Sequence, residues 1–398
     1  MKWTNKGHEF DGVYEILKTK KKFYLFGVGM YGKAVYQELK KMGEQVIGFI
    51  DNDEAKQHTE WDGVRIYSLQ EIKLQEDEAI VLCISAHDRR KLFQQLSAAG
   101  YKYNDNLYTM EIFMSLKFVY GLDKMYVPAA AILPSSCCNL NCKACLNFTP
   151  YIKNHRVLDF VSVKEDIDEF FSVVDYTMLF MITGGEPFIY PELARIIEYV
   201  GENYRDRMHF FQTISNGTIA ISEEMMKLLA KYDVRVTLDD YRDSLPETRE
   251  NYDHVVRGFQ KYGIEYDENK VEYWIDLAPT TTDHFDWDEE RLRKYFEECN
   301  IPWQDFQHGR LYACSYACYA QVPGFSEERE DEAFQFKDYS PERKKELMEF
   351  RLGYNTKGYT EFCKRCAGFM AINNNIVTPA IQVNNQHLIE VGKRCENH

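Results

Sequence analysis

Residues 138–145 read Cys-Asn-Leu-Asn-Cys-Lys-Ala-Cys and are the most informative stretch of the chain. Cys138, Cys142 and Cys145 have a C-x3-C-x2-C spacing, so one short loop can supply three thiolates to one metal centre. Three thiolates leave the fourth iron of a cubane cluster without a protein ligand. Such an iron can bind a second molecule and transfer an electron to it.

Zinc binding and disulfide formation are the two alternatives for these cysteines. Zinc prefers four ligands, usually as two pairs, and only a triplet is present here. The adjacent Cys137 is a poor fourth ligand because neighbouring side chains rarely reach one tetrahedral ion. Disulfides do not suit the intracellular chain that the composition predicts. The spacing therefore favours an iron–sulfur cluster over zinc and over a disulfide.

This loop resembles the cluster motif of the radical S-adenosylmethionine (radical SAM) enzymes. The resemblance implies a [4Fe–4S] cluster whose open iron binds the amino group and carboxylate of SAM. One electron then cleaves SAM to methionine and a 5′-deoxyadenosyl radical, which takes a hydrogen atom from a substrate. The family usually has an aromatic residue before the third cysteine, and Ala144 departs from that pattern at the adenine contact.

A glycine-rich turn follows the second apolar strand pattern predicted in the segment 119–290. Glycines allow a close backbone approach to a ligand, and a carboxylate can bind a cationic amine. The turn resembles the GGEP motif that holds the SAM ammonium in the radical SAM family. The matching residues are Gly184, Gly185, Glu186 and Pro187.

Two more turns are predicted to contact SAM or the substrate. The turn after the third strand resembles the family's T-N-G turn near the SAM ribose and carboxylate, and it consists of Ser215, Asn216 and Gly217. After the fourth strand, Asp239 is expected at the SAM ribose, and Asp240 and Tyr241 are expected to act in catalysis. The alternative for Asp239, Asp240 and Tyr241 is a solvated acidic turn without a functional role.

Composition limits the other classes of function. The chain has 398 residues, enough for two or three domains, and a formal net charge of −15. That charge argues against bulk binding to nucleic acid, which requires a basic face. No apolar run of about 18 residues predicts a membrane span, and the first residues lack a signal peptide. We therefore expect a cytoplasmic protein that binds neither nucleic acid nor membrane.

The segment 1–118 is predicted to form a Rossmann-like α/β domain. A short apolar run precedes a G-x-G-x-x-G made of Gly27, Gly29 and Gly32, and a helical pattern and a second apolar run ending at Asp51 follow. Glycines at this position let a phosphate approach the helix N-terminus, and the acidic residue suits a ribose hydroxyl. The segment predicts a site for a nucleotide or NAD(P), with a fold that only packs or recruits a partner as the alternative.

The segment 119–290 alternates apolar strand patterns with helical ones, which predicts a parallel sheet with crossover helices. Strands that carry motifs at their carboxyl ends are typical of barrels. The order of the motifs agrees with the partial (β/α)6 TIM-like barrel of the radical SAM family. The overall fold class predicted is therefore α/β.

The segment 291–398 contains a second cysteine set, with the pattern C-x9-G-x4-C followed by C-x2-C. Two cysteine pairs suit zinc equally well on chemistry alone. The pattern resembles the twitch extension of radical SAM enzymes, a shortened SPASM domain, which implies an auxiliary [4Fe–4S] cluster. Cys318 and Cys395 are alternatives for any of the predicted ligands, which are Cys299, Cys314, Cys363 and Cys366.

These resemblances imply an oxidoreductase-type radical SAM enzyme that abstracts a hydrogen atom from a small polar substrate. The nucleotide-type first segment favours a carbohydrate, polyol or nucleotide-linked substrate, oxidised or epimerised with help from the auxiliary cluster. The implied partner is a reducing flavodoxin or ferredoxin-type electron donor. The same chemistry on a ribosomally made peptide is one alternative, and a metal-stabilised binding protein without catalysis is another.

Overall fold

The computed structural model describes residues 1–84, 89–299 and 303–383. They form two compact units. The N-terminal unit consists of residues 3–128 and 340–352, and the central unit consists of residues 1–2, 129–339 and 353–398. Residues 340–352 thus belong to the N-terminal unit, although they lie inside the predicted segment 291–398. The domain boundaries at residues 118 and 290 stay a prediction.

The N-terminal unit is a mixed α/β structure. Its helices are α1 (Asp11–Leu17), α2 (Met30–Lys41), α3 (Arg89–Ala98) and α4 (Met110–Leu116). Its strands are β1 (Lys22–Phe26), β2 (Gln45–Ile50), β3 (Glu60–Trp61), β4 (Val64–Tyr67), β5 (Glu78–Leu82) and β6 (Leu107–Thr109). The sheet order is β3-β4-β2-β1-β5-β6, and every pair is parallel except the hairpin of β3 and β4.

The strand order of this sheet reverses at β1. The chain moves from β1 to β2 on one side and later returns to place β5 on the other side. At such a switch point the loops beyond the carboxyl ends of the strands diverge and leave a crevice. The glycine turn after β1 and Asp51 after β2 both lie at that end of the sheet.

The central unit is also mixed α/β. Its strands are β7 (Tyr126–Ile132), β8 (Tyr176–Ile182), β9 (Met208–Ser215), β10 (Val234–Asp240), β11 (Tyr266–Lys270), β12 (Trp274–Ile275), β13 (Gln304–Gln307), β14 (Arg310–Tyr312), β15 (Ala333–Gln335) and β16 (Ile376–Val377). Its helices are α5 (Phe160–Val173), α6 (Leu193–Asn203), α7 (Glu223–Lys231), α8 (Arg249–Tyr262), α9 (Glu289–Glu298) and α10 (Ser315–Tyr319). A last helix, α11 (Lys344–Arg351), belongs to the N-terminal unit.

The main sheet of the central unit has the order β11-β10-β9-β8-β7-β13-β14-β15. Its strands from β11 to β13 are parallel, and helices α5 to α8 connect successive strands. Because the chain enters each of these strands from the same side, the turns after β7, β8, β9 and β10 meet at one edge. Those turns carry the predicted site residues.

The fifth parallel strand lies earlier than the sequence pattern indicates. The apolar run near residues 271–277 predicts a strand there, but β11 is the polar stretch 266–270, paired with β10. Four of its five residues are exposed, so this edge strand has no apolar pattern to reveal it. The apolar run instead gives the short β12, which pairs antiparallel with β16.

Strands β13 and β14 form an antiparallel hairpin just before Cys314. The two turn residues, His308 and Gly309, both have positive φ angles of 51° and 68°. Two-residue hairpin turns of this kind match the twist of the flanking strands. In the part of the chain that the structure describes, no helix is long and apolar enough to cross a membrane.

Candidate active site and metal centres

The cysteine triplet lies in the loop that follows β7. All three side chains are partly buried. The backbone N–H of Leu140 donates to the Cys138 sulfur at 3.4 Å, and the side-chain amide of Gln382 donates to the Cys142 sulfur at 3.3 Å. N–H groups directed at sulfur stabilise thiolates, which are the form that binds iron.

Burial is the main influence on the acidity of these thiols. It raises the pKa of Cys142 to about 12, and the neighbouring Cys145 contributes to that rise. Burial also holds the pKa of Cys138 well above its ordinary value, with added repulsion from Glu186, Cys145 and Cys142. Thiolates at these positions would repel one another, and a bound metal centre would offset that repulsion.

The donor set of the triplet suits an iron–sulfur cluster. Each thiolate of a cubane binds a different iron, so its ligands need not converge on one point. The donor set, three thiols in one loop with N–H groups directed at sulfur, suits that arrangement.

The glycine-rich turn after β8 is hydrogen-bonded to the cysteine loop. Gly185 donates its N–H to the Ser135 carbonyl at 3.0 Å, and Glu186 donates to the Cys137 carbonyl at 2.8 Å. A Cβ atom on Gly185 would lie 2.1 Å from the Cys137 oxygen, and one on Gly184 would lie 2.8 Å from the Ser135 oxygen. The turn therefore needs glycine because the cysteine loop lies directly against it.

Glu186 joins this turn to the next one. Its buried carboxylate accepts hydrogen bonds from the Ser215 hydroxyl at 3.0 Å, the Asn216 N–H at 2.9 Å and the Phe188 N–H at 3.1 Å. Burial raises its pKa to about 7, against the lowering effect of these donors. Pro187 begins the short 3-10 helix that follows. The carboxylate thus binds protein groups in addition to any ligand amine.

The turn after β9 is bound to the cysteine loop by a second residue that the sequence analysis does not identify. Asn139 donates to the Thr218 hydroxyl at 2.6 Å and accepts from the Asn216 amide at 2.9 Å. The same Asn216 amide lies 3.8 Å from the Cys138 sulfur. Gly217 has a φ of 64°, and a Cβ there would lie 2.6 Å from the Tyr252 ring. The position of Asn139 between two ligand cysteines is the only sequence signal of its role.

At the end of β10, the side chains of Asp239 and Tyr241 point in one direction and that of Asp240 points in another. Asp239 and Tyr241 lie together, with the Tyr241 hydroxyl donating to the Asp239 carboxylate at 3.2 Å. Burial raises the pKa of Asp239 to about 6. Asp240 instead forms a bidentate pair with Arg242, two distances of 2.8 Å, which holds its pKa below the ordinary value. Alternation along a strand explains the division, because adjacent side chains leave on opposite faces.

Tyr241 and Trp274 lie beside the cysteine loop. Tyr241 packs in an apolar group that includes Leu140, with Cys138 and Cys142 packed against it. Trp274 donates its indole N–H to the Ala144 carbonyl at 2.8 Å, and its ring lies edge-on to Tyr241 with centroids 6.3 Å apart. Residue 144 is thus held by its backbone carbonyl.

The second cysteine set gathers in one buried apolar cluster of the central unit. Its members include Cys314, Cys363 and Cys366, with Cys299 packed against them. Burial, followed by the repulsion of Cys299, Cys314 and Cys363, raises the pKa of the Cys366 thiol well above its ordinary value. The four predicted ligands therefore lie within electrostatic range of one another.

The remaining cysteines differ in their surroundings. Cys318 belongs to the same buried cluster, and its thiol lies 3.8 Å from the Gln307 side-chain oxygen. The Gly368 N–H donates to the Cys366 sulfur at 3.3 Å, the contact expected of a thiolate ligand. Cys395 lies outside the described residues.

The predicted N-terminal site is a cavity of about 450 Å³ at the switch point of its sheet, lined by Gly27, Gly29 and Asp51 among others. Gly27 has a φ of 101°, and a Cβ on Gly32 would lie 1.8 Å from the Gly27 oxygen. Asp51 accepts the Val28 N–H at 3.1 Å, so its carboxylate also fixes the glycine turn.

Comparisons with known proteins agree with the central assignment. Residues 132–290 match the sequence model of the Radical SAM superfamily, and residues 19–104 match the family described as C2185-like, N-terminal. The central unit therefore contains a radical SAM domain. The comparison with curated proteins gave no match.

Solved structures similar to the chain include two of the protein anSMEcpe. Histidine-tagged anSMEcpe with bound AdoMet and native anSMEcpe with bound AdoMet and Cp18Cys peptide are each 12% identical, with TM-scores of 0.37, covering 55% of this chain and 80% of theirs. SuiB of Streptococcus suis bound to its precursor peptide SuiA is 13% identical, with a TM-score of 0.24, covering 69% of this chain and 62% of its own.

Proposed function

We propose that this chain is a radical SAM enzyme that cleaves SAM reductively and abstracts a hydrogen atom from a small polar substrate. The observation that carries the proposal is the hydrogen-bonded contact of three turns. The cysteine loop, the turn at Gly184–Pro187 and the turn at Ser215–Gly217 are joined through Glu186 and Asn139. Two turns from successive strands thus lie against the loop that carries the three thiols.

The chain's own residues have distinct roles in this proposal. Cys138, Cys142 and Cys145 would hold a [4Fe–4S] cluster, which, when reduced, supplies the electron that cleaves SAM. Backbone groups of Gly184 and Gly185 would bind the methionine part of SAM, while the absence of Cβ atoms lets the turn lie directly against the cysteine loop. Glu186 would fix the turn with its carboxylate.

Asp239 and Tyr241 would face SAM or substrate at the same edge of the sheet. Their hydrogen bond aligns the Asp239 carboxylate, which suits a ribose or substrate hydroxyl. Asp240 would act only through Arg242, because its carboxylate is engaged there. Of the two predicted catalytic residues, Tyr241 is the one that contacts the Asp239 carboxylate.

The finer architecture belongs to the same proposal. The parallel strands from β7 to β11, with β13 beside β7, would form the partial (β/α)6 barrel of the family. Cys299, Cys314, Cys363 and Cys366 would hold an auxiliary [4Fe–4S] cluster that accepts an electron from the substrate radical, which makes the net reaction an oxidation. A flavodoxin or ferredoxin-type protein in the cytoplasm would supply the reducing electron.

The parallel order of the N-terminal sheet supports a Rossmann-like domain for a nucleotide, NAD(P) or nucleotide-linked group. This favours a carbohydrate, polyol or nucleotide-linked substrate over a peptide. Winged-helix domains that recognise peptides have a different topology from this parallel sheet.

The substrate class is tested by 5′-deoxyadenosine formation in the anaerobic, reconstituted enzyme. Extract of the producing cells is divided by size into small molecules and macromolecules. We expect the small-molecule fraction to stimulate product formation in wild type and in Ser172→Ala, which removes an exposed hydroxyl of α5, but not in Cys142→Ala. Stimulation by the macromolecular fraction alone would favour the peptide, and no 5′-deoxyadenosine with any fraction would favour a protein without catalysis.

A further inference from the structure

Residues 380–383 lie against the cysteine loop as a short antiparallel segment. Cys142 and Gln382 form a bridge, with the Lys143 N–H donating to the Ile381 carbonyl at 2.8 Å and the Val383 N–H donating to the Asn141 carbonyl at 2.9 Å. The two segments are about 240 residues apart in sequence. No cofactor motif includes this segment, so its contact is visible only in the folded chain.

The side chain of Gln382 is fixed at both ends. Its oxygen accepts the Asn141 N–H at 2.6 Å, and its nitrogen donates to the Cys142 sulfur at 3.3 Å and to the Ala380 carbonyl at 2.7 Å. Reversing the amide would place its NH₂ group against a backbone N–H and its oxygen against a carbonyl oxygen. The orientation with N–H toward sulfur is therefore the one that satisfies every partner.

An N–H donor at a ligand sulfur stabilises negative charge on that sulfur. A reduced [4Fe–4S] cluster has one more electron than the oxidised cluster and spreads it onto its thiolates. The same hydrogen bond therefore stabilises the reduced state more than the oxidised state and raises the reduction potential. The effect is strongest where the sulfur is shielded from water, as in this partly buried loop.

We infer that Gln382 is a positioning residue for the cluster proposed at Cys138, Cys142 and Cys145. Its amide orients the Cys142 thiolate, ties residues 380–383 to the loop and raises the potential at which the cluster accepts an electron. This inference rests on the proposed function. It assigns to the chain's C-terminal region a direct influence on the step that starts the reaction.

The test is an EPR-monitored redox titration of the full-length reconstituted protein. The relevant cluster is identified as the one whose EPR signal changes when SAM is added, which separates it from an auxiliary cluster. Gln382→Leu removes the donor, and we expect its midpoint potential to fall. Gln382→Glu keeps an oxygen for the Asn141 N–H and replaces the donor with an acceptor, so its potential should fall further.

Gln260→Leu is the matched control, since Gln260 lies on α8 and donates to the Tyr266 hydroxyl. Its potential should equal that of wild type, and iron content should show that every variant retains its clusters. Wild-type potentials in both Gln382 variants, with the SAM-responsive signal intact, would overturn this inference alone. A wild-type protein with no SAM-responsive cluster would overturn the proposed function and this inference together.

Discussion

Gly185 shows what a motif can and cannot predict for a single residue. The sequence predicts that glycine here permits a close backbone approach, and the structure places the Cys137 carbonyl 2.1 Å from where a Cβ atom would be. The approach that forces glycine is therefore internal, between the turn and the cysteine loop. Sequence alone identifies the need for a small residue but not the partner, because that partner comes from another strand.

Glu186 and Asp240 show the same limit. The sequence assigns Glu186, within the GGEP motif, to the SAM ammonium, and it assigns Asp240, after the fourth strand, to catalysis. The structure gives Glu186 three protein donors and gives Asp240 a pair with Arg242. Two donors to Glu186 come from the turn after β9, a tertiary contact that no spacing in the sequence encodes, whereas Arg242 lies only two residues beyond Asp240.

The pH dependence of SAM cleavage is predicted to follow Asp239. Burial raises the pKa of this carboxyl to about 6, and the Asn269 amide, which donates to it at 2.8 Å, acts to lower that pKa. If the ionised form is the active one, activity rises with pH through about 6. Asn269→Leu removes a donor to the carboxylate, so the rise should move to higher pH by up to about one unit.

The measurement is 5′-deoxyadenosine formation between pH 5 and pH 8. Asn203→Leu is the control, because that amide lies on α6 and donates to the Tyr199 carbonyl. Identical midpoints in Asn269→Leu and wild type would show that Asp239 does not govern the profile.

At the scale of elements, α11 depends on one buried side chain. The Glu349 carboxylate accepts hydrogen bonds from the Trp3 indole at 2.8 Å, the Gly7 N–H at 2.7 Å and the Glu9 N–H at 2.8 Å. Burial raises its pKa above the ordinary value. Its removal would leave three donors without this acceptor, at a cost of about 1–3 kcal/mol for each donor that stays buried.

We therefore expect Glu349→Ala to loosen residues 3–9 from α11. Hydrogen exchange followed by mass spectrometry should show faster exchange at Gly7 and Glu9. Glu346→Ala, one turn away and in salt bridges with Lys6 and Arg343, should cost less than about 1 kcal/mol. Equal protection of Gly7 and Glu9 in wild type and Glu349→Ala would contradict this role.

The elements differ in how well their sequences predict them. The buried strands β7, β8 and β9 have apolar runs that place them within two residues of their observed bounds. The polar strand β11 has no such run, whereas the apolar run at residues 271–277 contains the short β12, which lies in a separate sheet. A strand at the edge of a sheet has fewer neighbours to bury it, so its pattern is weaker.

At the scale of the whole molecule, the motifs predict the chemistry of the chain better than they predict where its domains begin and end. Short motifs depend on a few residues near one another in sequence, so the three turns around Cys138, Cys142 and Cys145 are visible without a structure. The return of residues 340–352 to the N-terminal unit depends on Glu349 and its distant partners, which leave no local pattern. For the same reason the contact of Gln382 with Cys142 is absent from the sequence prediction.

The central claim is that Cys138, Cys142 and Cys145 hold a cluster with an open iron that binds SAM. The most direct measurement is electron–nuclear double resonance on the reduced, reconstituted protein with SAM labelled with ¹⁵N at its amino group and ¹⁷O at its carboxylate. We predict hyperfine coupling to both labels in wild type and none in Cys142→Ala. A reduced cluster in wild type without coupling to either label would contradict the claim.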